Sequence, residues 1–225
     1  MKTYLTLFLG WLLATAAVDA GTITGTVRAH GKEGADEDVA GGKYESHKFK
    51  FAERVDYSQF RDFVVYIDQT FPEKTTPPVA PLHVVVQKDA AFSPHVLPIL
   101  VGTTVDWPNH DEIFHNAFSI SEAKQFDLGL YKDKVKQVTF DKPGRIDVFC
   151  SIHSTMHCII LVLENPYFAT TDANGRFTIP NVPAGTYKLK AWHERLPATT
   201  KEVIVPEKGE VNIDLTLGIT GLPQY

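Results

Sequence analysis

Short runs of β-branched and aromatic residues, each closed by turn-forming residues, constrain this chain more than any other feature of its sequence. Runs of this kind are typical of β-strands, and no long 3.6-residue apolar period competes with them. The sequence therefore predicts an all-β chain, with its residues divided between two β-sandwich domains. The predicted strands are Thr22 to Arg28, Asp62 to Asp68, Leu82 to Gln87, Val96 to Val101, Thr103 to Trp107, Ile113 to Ile120, Val135 to Phe140, Arg145 to Cys150, Cys158 to Leu163, Arg176 to Ile179, Thr186 to Trp192, Lys201 to Val205 and Val211 to Leu217.

Charge and the N-terminal residues narrow the class of protein. The chain has 22 Lys and Arg against 27 Asp and Glu, a net charge of −5, which argues against a nucleic-acid binder. Its apolar N-terminal run follows a lysine and ends in small residues before Gly21, which predicts a signal peptide over residues 1–20. A retained N-terminal anchor is the alternative, but the run is short for a membrane span. We therefore expect an exported, periplasmic protein with no membrane span after cleavage.

The C-terminal part carries a family resemblance. The stretch from Thr171 to Ile179 reads TDANGRFTI, and Val182 to Leu189 reads VPAGTYKL. Together they resemble the carboxypeptidase regulatory-like (transthyretin-like) β-sandwich. The tail supplies only four strands where the resemblance implies about seven, and the N-terminal runs fit the missing ones. We therefore predict one split sandwich from residues 21–72 and 166–225, although the N-terminal strands could instead belong to the domain between them.

One nine-residue segment carries most of the potential chemistry. Residues 150–158 read CSIHSTMHC, so five of the nine are Cys, His or Met. Both cysteines of the chain lie there, together with its only methionine after Met1. Thiolate and thioether are soft donors that select copper, and imidazole suits copper as well. The clustering predicts a metal site, and a further donor from another strand is available in His115.

The order of donors and scaffold motifs resembles the cupredoxins, the amicyanin- and plastocyanin-like blue copper proteins. The motifs are AFSP at residues 91–94, VGTTVDWPN at 101–109, His115-Asn116, FDKPG at 140–144 and the Cys150 loop with its C-x2-H-x2-M spacing. The resemblance covers residues 82–164 and implies a Greek-key β-sandwich, inserted in or followed by the other sandwich. Carried over residue by residue, it implies a type 1 copper site with the ligands His115, Cys150, His153 and Met156. It also implies that Asn116 orients the cysteine loop by hydrogen bonding.

Some readings of the same residues remain open. An exported chain with two cysteines could form a Cys150–Cys158 disulfide, which requires Cα atoms within about 7 Å. Cys158 is a possible ligand in another frame, and His110 is an alternative to His115. The roles of His157 and of residues 30–61 are not defined by any pattern, and His83, His95 and His193 show no ligand spacing.

These features predict a copper-binding single-electron carrier that exchanges electrons with a partner protein. No acid–base pair or nucleophile–base grouping suggests an enzyme. A copper carrier or storage protein is the first alternative, and a structural surface module is the second, because a fold alone does not define a function.

Overall fold

A computed structural model describes residues 20–31, 56–71 and 83–218. Residues 1–19 of the predicted signal peptide and most of residues 30–61 lie outside the described residues. Within the described part there is one 3-10 helix, Tyr57–Gln59, and all other regular structure is β. None of the described helices is long and apolar enough to span a membrane. The strands are β1 Ala20–His30, β2 Val64–Ile67, β3 His83–Val84, β4 Val86–Lys88, β5 Ala91–Ser93, β6 Val96–Leu100, β7 Thr103–Pro108, β8 Phe118–Ser121, β9 Lys124–Asp127, β10 Val135–Phe140, β11 Gly144–Phe149, β12 His157–Leu163, β13 Phe168–Thr170, β14 Arg176–Pro183, β15 Gly185–His193, β16 Leu196–Val205, β17 Glu210–Asn212 and β18 Leu215–Gly218.

The predicted all-β class is confirmed, and the strands form two sandwiches. In the central sandwich, the sheet β10-β7-β3 and the sheet β6-β12-β11-β8-β9 supply the side chains of one apolar core. Its largest fully buried side chains are Trp107 and Phe140. The hairpin β4-β5 adds Phe92 to that core. Strand β6 runs parallel to β12 and β3 runs parallel to β7, so these two pairings join strands that are not connected by hairpins.

The second sandwich, called here the outer sandwich, is built from both ends of the described chain. One sheet has the order β14-β1-β17, with β18 also paired to β1, and the other has the order β13-β2-β15-β16. Their facing side chains share a separate core that includes Ile23, Ile67, Leu189 and Leu215. Strands β1 and β2 from the N-terminal part thus lie in the same sheets as residues 168–218.

Two glycines at turns, Gly144 and Gly175, have a backbone conformation that favours glycine. Gly144 has φ 140° and Gly175 has φ 76°, both in the region that L side chains rarely adopt. At Gly175 the approach is also close, because a Cβ atom there would lie 2.4 Å from the carbonyl oxygen of Val27. The Gly175 turn thereby brings the start of β14 against β1. The Gly175 carbonyl oxygen accepts a 2.7 Å hydrogen bond from Val27 N of β1.

Strand β12 is the element shared by both sandwiches. All of its residues from Cys158 to Leu163 are buried. Since side chains alternate across a strand, Cys158, Ile160 and Val162 face the central core. The other set packs into a third apolar cluster between the sandwiches, which we call the seam and which contains Val64, Val96, Ile159, Leu161 and Leu163. Burying each such side chain contributes about 1.5–3 kcal/mol, so the seam is a substantial interface.

Candidate metal centre

The loop at residues 150–156 closes the hairpin between β11 and β12. Cys150 N donates to Met156 O at 3.2 Å, and Met156 N donates to His153 O at 3.0 Å. The loop is therefore a compact turn with its three predicted ligands held close together by main-chain hydrogen bonds. Cys150 is 5% exposed and Met156 is 1% exposed, and both belong to the central core.

Three donor atoms converge at this end of the central sandwich. Nδ1 of His115 lies 3.1 Å from Nδ1 of His153, and Sγ of Cys150 lies 3.9 Å from the same nitrogen of His153. The donor atoms of the three side chains all lie within 4.8 Å of one another. His115 is fully buried and His153 is half-buried, so His153 is the donor nearest to solvent.

The donor spacing fits a single metal ion. Bonds of about 2.0–2.1 Å to nitrogen and about 2.3 Å to sulfur place two nitrogen donors about 3.3–3.6 Å apart and a nitrogen–sulfur pair about 3.6–3.8 Å apart. The observed 3.1 Å and 3.9 Å separations are close to both values. Two imidazoles and a thiol or thiolate are also donors that suit copper. The group is thus able to hold a metal ion with little rearrangement.

The segment that carries His115 is a loop, and the prediction of a strand from Ile113 to Ile120 is wrong for its first half. Strand β8 begins only at Phe118, and His115 makes a single β-bridge to Tyr131. The Asn109 side-chain amide holds the loop open by donating to Ile113 O at 3.0 Å and to Tyr131 O at 2.9 Å. These bonds satisfy carbonyl groups that a continuous strand would have paired.

Asp111 determines which nitrogen of His115 faces the other donors. Its Oδ2 accepts a 2.7 Å hydrogen bond from Nε2 of His115. Hydrogen bonds, first from the backbone of Ala90 and then from His115, hold the pKa of Asp111 below its usual value. Asp111 is therefore an ionised acceptor, which keeps a proton on Nε2 and leaves the lone pair of Nδ1 free toward Cys150 and His153.

Asn116 contacts the cysteine loop directly. Its Oδ1 accepts from the backbone N of Ser151 at 2.7 Å and from Ser151 Oγ at 3.0 Å. Its amide nitrogen lies 3.3 Å from Oδ1 of Asp127. Because Ser151 follows Cys150 directly, these bonds limit the directions in which the Cys150 side chain can move.

The two cysteines are free thiols, so the disulfide alternative is not what the structure contains. Cys158 pairs across the hairpin with Val148 and not with Cys150. Cys158 is fully buried in the central core, and burial raises the pKa of its thiol. A protonated, enclosed thiol is a poor metal ligand, so the arrangement favours Cys150 over Cys158.

The remaining histidines divide into two groups. His110 is exposed, and its backbone N donates to Gln87 O, so it lies outside the donor group. His193 is buried in the outer sandwich against Phe60 and Phe63, where burial lowers its pKa. His95, in contrast, joins His157 and Glu194 in a second convergent group.

Several contacts of the site have no signal in the sequence. Asp111 lies in a polar stretch that is indistinguishable from an ordinary turn, and Asn109 is only the last residue of the 101–109 motif, with no role assigned to its side chain. Only their spacing from His115, together with the fold, shows that they shape the loop and fix the imidazole. The His95 group depends on contacts between residues 99 positions apart, which a sequence pattern does not reveal.

The fold and the donor group together define an all-β chain with a His–Cys–His cluster at the end of its central sandwich. Residues 161–218 match the sequence model of the carboxypeptidase regulatory-like domain, which confirms the resemblance predicted for the C-terminal part. A comparison with curated protein sequences finds no match.

Solved structures similar to this chain include copper proteins and cupredoxins. A Cu-containing nitrite reductase from Thermus scotoductus SA-01 is 30% identical, with a TM-score of 0.36 over 43% of this chain and 25% of the reductase. A mutant of amicyanin in its Cu(I) form is 20% identical, with a TM-score of 0.35 over 44% of this chain and 98% of amicyanin. A purple cupredoxin from Nitrosopumilus maritimus is 26% identical, with a TM-score of 0.33 over 36% of this chain and 99% of that protein.

The chain thus spans a quarter of the length of the nitrite reductase. The similarity to cupredoxins that the sequence predicts is found, but these TM-scores carry no role over to this chain. What the site can do chemically follows from its own donors.

Proposed function

We propose that this chain is an exported copper protein that carries single electrons between partner proteins. His115, Cys150, His153 and Met156 would hold one copper ion, which would supply a one-electron couple. The observation that carries the proposal is the convergence of the Cys150 thiol with two imidazole nitrogens within 4.8 Å. Two His and one Cys with a weak axial Met are the donors of blue-copper electron-transfer sites.

The rigidity of the donor group supports electron transfer. Copper in such a site supplies a one-electron couple, and a ligand set that hardly moves lowers the cost of changing its oxidation state. Asp111 holds His115 at 2.7 Å, and Asn116 holds Ser151 beside Cys150 at 2.7 Å. Main-chain bonds close the loop from Cys150 to Met156. The donors are therefore pre-arranged by the fold.

We propose that the chain is not an enzyme. A catalytic metal keeps an open position for water or substrate. Here three donors converge, and Met156, 1% exposed in the central core, is the fourth ligand that we propose. The other nitrogen of His115 is already bonded to Asp111, so that imidazole has no free position for acid–base chemistry.

A copper carrier or store is the alternative within the same chemistry. Rapid exchange of metal is helped by extra accessible thiol or thioether donors. Cys158 is the residue adjacent to the loop that would serve this role, but it is 0% exposed and its thiol pKa is raised by burial. This burial favours retention of copper over its delivery.

Apolar residues around the donor group support contact with a partner protein. Ile113 and Phe114 precede His115, Ile152 precedes His153, and all three are exposed. Exposed apolar side chains that occur together mark interaction sites. We infer that a redox partner covers this end of the central sandwich and approaches the half-buried His153. Export to the periplasm rests on the N-terminal sequence, and no nucleic acid is proposed as a partner.

The visible spectrum of the Cu(II)-loaded protein tests the proposal. We expect an intense thiolate-to-Cu(II) charge-transfer band in the wild-type chain. Cys150→Ser removes the thiolate and should abolish the band, whereas the matched control Cys158→Ser should keep it. If the band is lost in Cys158→Ser and kept in Cys150→Ser, the thiolate ligand is Cys158 and the proposed ligand set is wrong. Colourless protein that binds Cu(I) would favour storage, and absence of stoichiometric copper would favour a structural module.

A further inference from the structure

A second group of metal-binding side chains lies where the two sandwiches meet. His157 is the first residue of β12, and its side chain belongs to the face that carries the seam residues Ile159 and Leu161. It therefore points away from the face of Cys158, which lies in the central core. His95 precedes β6, the parallel neighbour of β12, and Glu194 lies between β15 and β16 of the outer sandwich.

The three side chains converge on one point. One nitrogen of each imidazole and one carboxylate oxygen lie within 4.8 Å of one another, and all three residues are half-buried. Nε2 of His95 is 3.0 Å from Oε1 of Glu194. The rings of His95 and His157 are 5.5 Å apart in an edge-to-face arrangement.

The hydrogen bonds of the imidazoles leave lone pairs for a cation. Nδ1 of His95 is 3.2 Å from the carbonyl oxygen of His157, to which it donates its proton. Its Nε2 then faces the Glu194 carboxylate, and two acceptors at 3.0 Å repel each other unless a proton or a metal ion lies between them. Nε2 of His157 is 3.0 Å from Oδ1 of Asp147, which leaves Nδ1 of His157 with its lone pair. Carbonyl and carboxylate partners of this kind orient metal-binding histidines.

We propose that His95, His157 and Glu194 form a second metal site, which takes a divalent first-row transition ion such as Zn²⁺ or Cu²⁺. Two imidazoles and a carboxylate, without a thiolate, are donors that both ions accept. Bonds of about 2.0–2.2 Å put tetrahedral donors about 3.4 Å apart, so closing the group requires movements of about 1.4 Å at most. A fourth position stays free for water.

The position of this site gives it a structural consequence. His95 and His157 belong to the central sandwich and Glu194 belongs to the outer one. A bound ion therefore links the two sandwiches at the rim of the seam. Phe149 packs on the ring of His157 with a centroid distance of 4.8 Å and an interplanar angle of 25°, which limits how far that ligand can turn away. Binding of the ion to the folded chain alone then stabilises the interface.

The test is a titration of the metal-free full chain with Zn²⁺ and, separately, with Cu²⁺. We expect the wild type to bind two equivalents. Cys150→Ser should still bind an ion at the second site, because that site contains no thiol. Glu194→Gln keeps the size of the side chain and removes its charge, and should weaken the second equivalent at least tenfold. The double variant His95→Ala, Glu194→Gln should not bind the second equivalent. The matched control His30→Ala removes an exposed imidazole at the end of β1 and should still bind it.

The outcomes separate this proposal from the copper site. Loss of the second equivalent in Glu194→Gln with an unchanged thiolate-to-Cu(II) band supports a distinct site. Binding of a second equivalent with wild-type affinity by the His95→Ala, Glu194→Gln variant would overturn the assignment. A folded wild type that binds only one equivalent would overturn it as well. Thermal unfolding with and without Zn²⁺ checks folding, and only the wild type and His30→Ala should show the full rise in Tm.

Discussion

At the scale of single residues, the donor group depends on side chains that do not belong to it. A neutral imidazole carries its proton on either nitrogen, and a histidine ligand binds only through the other one. Asp111 determines the position of the proton on His115, because its carboxylate accepts a hydrogen bond from Nε2 at 2.7 Å. With that nitrogen occupied, Nδ1 is directed toward His153 and Cys150 before any metal binds.

Met156 distinguishes an electron carrier from a copper store. In a blue-copper site the axial thioether is a weak ligand that tunes the potential. Met156→Gln should therefore keep the thiolate band and lower the reduction potential, because an amide oxygen is harder than sulfur and favours Cu(II). Spectroelectrochemical titration of the copper-loaded protein measures both. In a Cu(I) store the thioether is a main donor, so the same change would sharply weaken Cu(I) affinity without any coloured form.

His157 is the residue that complicates this measurement, since it follows Met156 in the chain. Its ring is bonded to Asp147 at 3.0 Å and packs on Phe149, on the opposite face of β12 from Cys158. We therefore expect the double variant Met156→Gln, His157→Ala to keep the colour and shifted potential of the single variant. If the colour survives in the single variant and is lost in the double one, His157 has replaced the axial ligand.

The local part of the donor group could be predicted from the sequence, and its supports could not. Cys150, His153 and Met156 lie within one short loop, so their proximity follows from the hairpin alone. His115 joins them only through a resemblance in the order of motifs. Asp111 and Glu194 are ordinary polar residues in the sequence, because what they do depends on how loops from distant positions pack.

At the scale of secondary-structure elements, β1 holds one sheet of the outer sandwich together. It pairs antiparallel with β14 and parallel with both β17 and β18. Where β17 ends and β18 begins, Asp214 binds β1 by accepting from Thr26 N at 2.9 Å and from Thr26 Oγ1 at 2.6 Å. Ile213 N also donates to Thr24 O at 2.8 Å. These bonds hold the connection between β17 and β18 in register against β1.

The Asp214 contact predicts a pH-dependent stability. Hydrogen bonds from Thr26 lower the pKa of Asp214 below its usual 3.8. A carboxyl group with a lowered pKa in the folded state stabilises the fold above the unfolded-state pKa and loses this effect as the pH falls through the folded-state pKa. Asp214→Asn should thus lower the free energy of unfolding by a constant amount above pH of about 5, and the difference from wild type should shrink below pH 3.8.

Denaturant unfolding of both chains across this pH range measures the effect. Glu207→Gln, in the exposed turn between β16 and β17, is the matched control for loss of one exposed acidic group. A difference between wild type and Asp214→Asn that stays constant down to the acid transition would show that the Thr26 bonds do not favour the ionised carboxylate.

Predicted and observed elements differ where side chains replace the usual pairing. Strands with a strict alternation, such as β7 and β11, follow the sequence closely. The stretch from Ile113 to Ala117 has the composition of a strand, but it pairs only through the single His115–Tyr131 bridge, and the Asn109 side chain bonds the carbonyl oxygen of Ile113. The sequence does not predict the short strands β5, β9 and β13, because three or four residues without an apolar run carry too little signal.

At the scale of the whole molecule, the two sandwiches are joined by more than their connections. The seam residues come from β2, β6 and β12, and Arg145 lies 5.8 Å from the ring of Trp192 across the same boundary. The chain contributes β1 and β2, then the central sandwich, and then returns with β13 to β18. That order was predicted only because the C-terminal tail has too few strands for a complete sandwich. How the sandwiches face each other depends on the burial of both sides of β12.

The whole-molecule prediction concerns the fragment of residues 166–225. In the described chain, β14, β17 and β18 each pair only with β1, and β2 separates β13 from β15. Without β1, the sheet of β14, β17 and β18 loses all of its strand pairings, and without β2 the other sheet loses an internal strand. The core of the outer sandwich also loses Ile23, Val65 and Ile67. We therefore expect the fragment to show no cooperative thermal transition, since unpaired strands with an open apolar face are not stable alone.

Adding the fragment of residues 21–72 supplies the missing strands and should restore a concentration-dependent transition. Adding residues 83–164 instead is the matched control and should not restore that transition. A cooperative melt of residues 166–225 by themselves would show that the tail is a complete domain and that the N-terminal strands are dispensable to it.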